Sequence, residues 1–213
     1  FHEGKLFEST GAPEDLPQAR SLFGIVNMDN GQIEVKAELD KSRYFGEGIA
    51  VLGGKVYQLT YQTREGFIYD AASFKEVGRF SNPGKEGWGM TTDGKQLIMS
   101  EGTNRLLYLD PATMGVSRTL QVTDDRGDVN FLNELEFING YIYANVYGTP
   151  LIVRIDPATG KVTGRMDMSN LMAAARNQYP GSMEMNGIAW NEATKRLYIT
   201  GKMWPYIFEL SMQ

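Results

Sequence analysis

The sequence contains no cysteine. Disulfides, thiolate zinc sites, iron–sulfur clusters and a cysteine nucleophile are therefore excluded. Histidine occurs once, at His2. A histidine-rich metal site cannot be assembled from one imidazole, and a Ser-His-Asp triad would rest wholly on that residue. No run of about 18 apolar residues is present, so no membrane-spanning helix is expected. Basic charge is also scarce: 21 lysines and arginines face 26 aspartates and glutamates, a net charge of −5. A nucleic-acid partner, which calls for a basic face, is not expected. The lack of cysteine does not by itself decide the compartment. What is present suits a single domain spanning 1–213: 42% of the residues are hydrophobic and 22% charged, enough to bury a core.

A phrase recurs along the chain. An apolar pair is followed by an acidic or polar residue and then by turn formers: Ile25-Val26-Asn27-Met28-Asp29, Phe67-Ile68-Tyr69-Asp70-Ala71, Tyr108-Leu109-Asp110-Pro111 and Arg154-Ile155-Asp156-Pro157, with Ile207-Phe208-Glu209-Leu210 near the end. The acidic residues fall at 29, 70, 110, 156 and 209, intervals of 41, 40, 46 and 53. Five units of about 43 residues correspond to four-stranded propeller blades. A second phrase alternates with the first. Phe45-Gly46-Glu47-Gly48-Ile49-Ala50 leads to a Gly53-Gly54 turn, Gly87-Trp88-Gly89-Met90 to Asp93-Gly94, and Asn133-Glu134-Leu135-Glu136-Phe137 to Asn139-Gly140. Asn186-Gly187-Ile188-Ala189-Trp190 leads to Asn191-Glu192-Ala193-Thr194. Gly-Gly, Asp-Gly and Asn-Gly favour tight hairpins. The reading is an all-β fold, a five-bladed β-propeller; a sandwich has no reason to repeat at this interval.

The first unit is incomplete. His2-Glu3-Gly4-Lys5 reads as a turn and Leu6-Phe7-Glu8-Ser9-Thr10-Gly11 as a second strand, with the first strand of that blade absent from the start. Residues 12–19 read as a loop. One short helical insertion is expected near 169–178, where Ser169 offers a cap, Ala173-Ala174-Ala175 a helix-forming run and Pro180-Gly181 a stop. It reads either as decoration of a blade or as the rim of a pocket.

In a propeller, equivalent positions of different blades converge near the axis. Aligning the first strands places Glu47 beside Trp88, Asn133 or Glu134, and Asn186. Counting five residues on from the second-strand starts places Gly11, Tyr61, Gly102, Tyr147 and Lys202 together. An acid, aromatic rings, an amide and an ammonium would then face one region, a combination suited to a small polar ligand. Each residue also has a plain structural reading: Glu47 as a solvated rim carboxylate, Trp88 as core, Asn133 as a turn cap, Lys202 as a surface charge. Glu134 and Glu136 flank Leu135, and at most one of them is expected to point to the axis. Asp124, Asp125 and Asp128 lack the spacing of a calcium loop and read as an exposed loop.

These phrases resemble the glutamine cyclotransferase family, the plant and bacterial type of glutaminyl-peptide cyclotransferase. The resemblance is carried by Leu6–Gly11, Tyr44-Phe45-Gly46-Glu47-Gly48, Gly87-Trp88-Gly89 with Thr92-Asp93-Gly94-Lys95, Leu132–Glu136, Asn186–Trp190 and Thr200-Gly201-Lys202-Met203-Trp204-Pro205, in order from about Leu6 to Leu210. It implies a five-bladed propeller that converts N-terminal glutamine to pyroglutamate and ammonia without metal or other cofactor. Glu47 would be the acid/base, with Asn133 and Lys202 as polar catalytic contacts. Trp88, Tyr61, Tyr147, Phe45 and Asn186 would bind substrate. Family members usually carry Trp at the positions of Tyr61 and Tyr147, and their opening motif, with a Gln in the first inner strand, has no counterpart here. The implied partners are peptides or proteins beginning with glutamine, and the implied protein is a monomer exported to the periplasm or beyond. The chain opens mid-pattern with no visible leader, as a processed exported protein would. Two other readings stay open: a propeller that binds peptides without turnover, and a metal-dependent, lactonase-like propeller with Glu47, Glu134 and Asn186 as axial ligands.

Overall fold

The computed structural model of the chain describes residues 1–212. Its strands form a five-bladed β-propeller. Blade 1 contains β1 (Leu6–Thr10), β2 (Leu22–Val26) and β3 (Ile33–Glu38); blade 2 contains β4 (Gly46–Leu52), β5 (Lys55–Thr60), β6 (Glu65–Asp70) and β7 (Glu76–Ser81). Blade 3 is β8 (Met90–Thr92), β9 (Leu97–Ser100), β10 (Arg105–Leu109) and β11 (Val116–Gln121). A small hairpin, β12 (Thr123–Asp124) with β13 (Gly127–Asp128), follows it. Blade 4 is β14 (Leu132–Ile138), β15 (Tyr141–Val146), β16 (Leu151–Ile155) and β17 (Val162–Asp167); blade 5 is β18 (Met185–Asn191), β19 (Arg196–Gly201) and β20 (Phe208–Ser211). Every blade is an antiparallel meander.

Local chemistry explains the meanders. The tight turns fall where the dipeptides predict them: Asn139 and Gly140 take φ of 49° and 84°, the double left-handed geometry that matches strand twist. At the outer turns the recurring acidic residue caps the chain. Asp70, Asp110 and Asp156 each accept backbone N–H bonds from two or three residues ahead. That is the Asx-turn chemistry behind the repeat phrase.

Apolar burial lies between the blades. Phe23 and Leu39 of blade 1 pack with Tyr44, Val56, Phe67 and Tyr69. Leu59 and Phe80 of blade 2 pack with Met90, Leu97 and Met99. Ile98 and Leu106 of blade 3 pack with Leu135, Ile142 and Val153. Ile138 and Ile152 of blade 4 pack with Ile188, Trp190 and Leu197. The inner strands follow the same order, β4 against β8, β8 against β14 and β14 against β18, and β1, a second strand, lies against β4. Blade 1 begins at its second strand. β1 pairs with β2 as β5 does with β6, and the edge of β1 turned toward the axis carries no inner strand among the described residues.

The helix, α1 (Ser169–Gln178), lies as predicted, but its start differs. Met168 holds the capping position without a side-chain bond, and Asp167 accepts the N–H and O–H of Ser169 instead. Asp124 of the β12–β13 hairpin pairs with Arg165. Residues 125–128 are exposed, as expected of this segment, and they belong to a paired surface hairpin rather than a loop without strands.

Candidate active site

The inner strands share a distortion at their axial ends. The pairing of β4 with β5 slips between Gly46 and Ile49, that of β14 with β15 between Leu132 and Leu135, and that of β18 with β19 between Met185 and Ile188. Each slip is a bulge, and a bulge re-aims the side chains within it. The residues it carries are Glu47, Asn133 with Glu134, and Asn186. Glycine on both sides of Glu47 makes the crowding feasible. A Cβ on Gly46 would stand 2.5 Å from the Thr10 carbonyl oxygen, and one on Gly48 would stand 2.6 Å from the Met90 nitrogen. The strand is pinned on both flanks. Ser9 donates its hydroxyl to the Glu47 carbonyl, and the Gly48 N–H donates to the Trp88 carbonyl at 2.8 Å.

These residues line a cavity of about 500 Å³. Phe45, Glu47, Trp88, Asn133, Tyr147, Asn186 and Lys202 all line it, so seven of the eight side chains singled out in the sequence meet there. Tyr61 does not. Its ring stands 6.1 Å from that of Phe45, edge-on. No residue of α1 lines the cavity; Leu171 and Met172 pack on the blade 4–blade 5 core and Ala175 is buried, which makes the helix decoration. Glu134 and Glu136 correct the expectation that at most one turns inward. Residues two apart share a strand face, and both carboxyls reach from β14 to the β18 backbone. Glu134 accepts the Ile188 N–H at 3.0 Å and Glu136 the Trp190 N–H at 2.8 Å. Burial drives both carboxyls upward in pKa. They staple two blades together.

Tyr147 stands at the centre of the aromatic wall. The Trp88 ring meets it edge-on at 5.6 Å, and the Lys202 Nζ lies 5.0 Å from its centroid. The Trp88 indole N–H donates to Glu86 at 2.8 Å, which fixes the ring plane. Glu47 is partly buried and lines the cavity. Burial pushes its pKa up to about 8, the Lys202 ammonium pulls it back, and the Glu86 carboxylate adds to the rise. Desolvation outweighs the cation here. A carboxyl that titrates near neutrality, with its side chain facing a cavity, is equipped to accept and return a proton.

Sequence reasoning missed Glu86 and Glu184. Glu184 lines the cavity, and its Oε2 is buried without a hydrogen-bond partner, as is Asn186 Oδ1. The available signal was the cross-strand position of Glu184 opposite Lys202. Among the described residues no group of three or more metal-ligating side chains is gathered, and no helix is long and apolar enough to cross a membrane.

Known proteins share this fold. Glutaminyl-peptide cyclotransferase of Arabidopsis thaliana is 37% identical over 209 residues, covering 98% of this chain and 63% of that protein, so the chain spans less than two thirds of that relative's length. The crystal structure of Myxococcus xanthus glutaminyl cyclase superposes with a TM-score of 0.87 at 32% identity, covering 98% of this chain and 86% of that one. The β-propeller domain of Cps50 (Swd1) from Myceliophteria thermophila, at TM-score 0.53 and 9% identity, shares the fold alone. The family model described as glutamine cyclotransferase matches residues 1–212, and the chain belongs to that family.

Proposed function

We propose that this chain is a glutaminyl-peptide cyclotransferase, converting the N-terminal glutamine of peptides and proteins to pyroglutamate with release of ammonia. The observation that carries the reading is the placing of Glu47 in one cavity with Phe45, Trp88, Tyr147 and Lys202, where burial pushes its pKa up to about 8. In this reaction the substrate's α-amine attacks its own γ-carboxamide carbon. Both reactants belong to one residue, so holding glutamine in a folded conformation supplies proximity and no enzyme nucleophile is required. A C–N bond forms, and the amine gives a proton to the Glu47 carboxylate. Glu47 then returns that proton to the carboxamide nitrogen, the old C–N bond breaks, and ammonia leaves. One carboxyl serves as base and then acid, which is how a chain with one histidine and no cysteine performs acyl transfer. Lys202 and Asn133 stabilise the oxyanion that develops on the carbonyl oxygen. Phe45, Trp88 and Tyr147 enclose the glutamine side chain, Asn186 supplies a polar contact, and Tyr61 buttresses Phe45 through their edge-on ring contact.

Proton transfer within one substrate needs no Lewis acid, so turnover is expected to survive a chelator. A monomeric, exported protein completes the reading; both points rest on the family resemblance, and size-exclusion chromatography measures the first. The test is incubation with a short glutamine-initiated peptide, followed by mass spectrometry for loss of ammonia, with and without chelator. Loss of ammonia in both arms supports the reading. Binding without ammonia release replaces it with a non-catalytic peptide-binding propeller, and loss of turnover with chelator replaces it with metal-assisted chemistry.

A further inference from the structure

Two residues before Gly11, Tyr61, Gly102, Tyr147 and Lys202, the second strands carry Ser9, Leu59, Ser100, Asn145 and Thr200. These are equivalent positions of the five blades, and only Leu59 is apolar. Three of the polar side chains reach across a seam to the inner strand of the next blade. Ser9 donates its hydroxyl to the Glu47 carbonyl. Ser100 donates to the Asn133 carbonyl at 2.7 Å. Asn145 Oδ1 accepts the Gly187 N–H at 3.1 Å. Each bond ends inside one of the three bulges, on Glu47, on Asn133 or on the residue after Asn186. The inner strand whose pairing shows no slip is β8, and its seam holds Leu59, which shares an apolar cluster with Met90. Thr200 lines the cavity at the open seam, and its hydroxyl donates to the Tyr206 carbonyl at 3.0 Å.

A bulge interrupts the ladder and leaves a backbone group without its strand partner. Inside a protein such a group is unfavourable unless a side chain takes the missing place. The seam residues take it, and they are themselves held. Ser100 and Asn145 are fully buried. Gln58, also fully buried, donates its side-chain N–H to Ser9 Oγ at 3.1 Å, and the Tyr69 hydroxyl donates to Gln58 Oε1 at 3.3 Å. With Gln58 donating to its oxygen, the Ser9 hydroxyl proton turns to Glu47. Ser100 Oγ accepts the Gly89 N–H at 2.8 Å while donating to Asn133, so one hydroxyl joins the residue after Trp88 to Asn133. Glycine permits the approach: a Cβ on Gly89 would stand 2.2 Å from the Asn133 carbonyl oxygen.

We propose that Ser9, Ser100 and Asn145 are positioning residues: each holds the bulge of the next blade by one hydrogen bond across the seam and so sets where Glu47, Asn133 and Asn186 project into the cavity. The inference rests on the proposed reaction, because the aim of Glu47 and Asn133 matters to turnover only if both take part in it. None of the three acts on the substrate; each acts through the backbone of a residue that lines the cavity. A misplacement of about 1 Å in a reacting group can cost about 100-fold in rate. One seam bond should therefore be felt in turnover more than in folding.

Kinetics of ammonia release from a short glutamine-initiated peptide test it. Ser9→Ala and Ser100→Ala are each expected to lower kcat by about 10- to 100-fold and to leave KM within about threefold of wild type. Ser9→Thr, which restores the hydroxyl, is expected to bring kcat back to within about threefold. Ile142→Val removes a buried methyl group from a filled seam and destabilises the fold by a similar amount, yet is expected to keep kcat within about twofold. Amide hydrogen exchange reads the anchoring without reference to activity. Ser9→Ala is expected to speed exchange in 46–49, and Ser100→Ala in 132–135, each by about tenfold and neither in the other's segment. Alanine variants that keep kcat within about twofold, or a loss that Ile142→Val reproduces, overturn the inference while the cyclase reading stands; so does unchanged exchange in both bulges. A wild-type protein that releases no ammonia removes the cyclase reading, and exchange alone then decides whether the seam residues hold the bulges.

Discussion

Four of the five junctions between blades are filled, and the fifth is not. Blades 1/2, 2/3, 3/4 and 4/5 each share a cluster of buried apolar side chains. Between blades 5 and 1, among the described residues, there is no such cluster. The cavity extends there instead, lined by Leu6–Gly11 on one side and by Tyr198, Thr200–Met203 and Ile207 on the other. A ring contact of Phe1 with Tyr198, 4.9 Å between centroids, is a residual link. Cavity and apolar core are thus divided between different seams. The filled junctions supply the burial that stabilises the ring, and the open one supplies room for a ligand. Glu47 belongs to both regions: its strand is packed between blades 1 and 3, while its carboxyl faces the cavity.

The largest effect should come from that boundary residue. Glu47→Gln is expected to lower ammonia release by at least about 1,000-fold while the thermal unfolding transition persists. Near-normal release would detach the open junction from the chemistry. The next effect sharpens the contrast in stability. Ile142→Ala, in a filled seam, should cost about 2–5 kcal/mol of unfolding free energy, whereas Ile207→Ala, at the open seam, should cost less than about 1 kcal/mol. Equal costs in denaturant titrations would mean that the fifth junction is packed in solution.

Lys202→Met should reduce turnover by about 100-fold. It should also move the pH dependence assigned to Glu47 to the alkaline side, because the cation that pulls its pKa down is gone. An acid-ward shift would reverse the assigned interaction. The smallest effect is a linkage. The Glu47 pKa is raised on folding, so its protonated form favours the native state. That contribution is complete below the unfolded value near 4.5 and is lost as pH rises through about 8. Between pH 6 and 9 the wild type should therefore lose about 2 kcal/mol more stability than Glu47→Gln. Glu8, Glu134 and Glu136, also raised by burial, are common to both proteins and cancel in the comparison.

Much of the site was legible because the repeat is. Once units of about 43 residues are aligned, equivalence between Glu47, Trp88, Asn133 and Asn186 follows from the closure of a ring. Tyr61 shows the limit of that argument. It holds the same repeat position as Tyr147, yet it does not line the cavity, whereas Phe45, whose ring it meets edge-on, does. Glu184 shows the converse. It lies in the segment after α1, outside the recurring phrases, and lines the cavity beyond the end of the β18–β19 pairing, where Met183 and Glu184 both bond the Lys202 backbone. Glu134 and Glu136 read as candidates for the axis. Their role as staples depends on which β18 N–H groups lie opposite, a matter of inter-blade register.

The amino-acid sequence by itself determined the blade repeat, the tight turns, the single helix and the set of side chains brought toward the axis. Each follows from short-range chemistry: alternation, turn residues, capping and a fixed period. The tertiary structure alone decided which carboxyl is desolvated, which acceptors stay unpaired and which junction stays open. Those properties are sums over neighbours contributed by several blades, and such sums exist only once the ring is assembled.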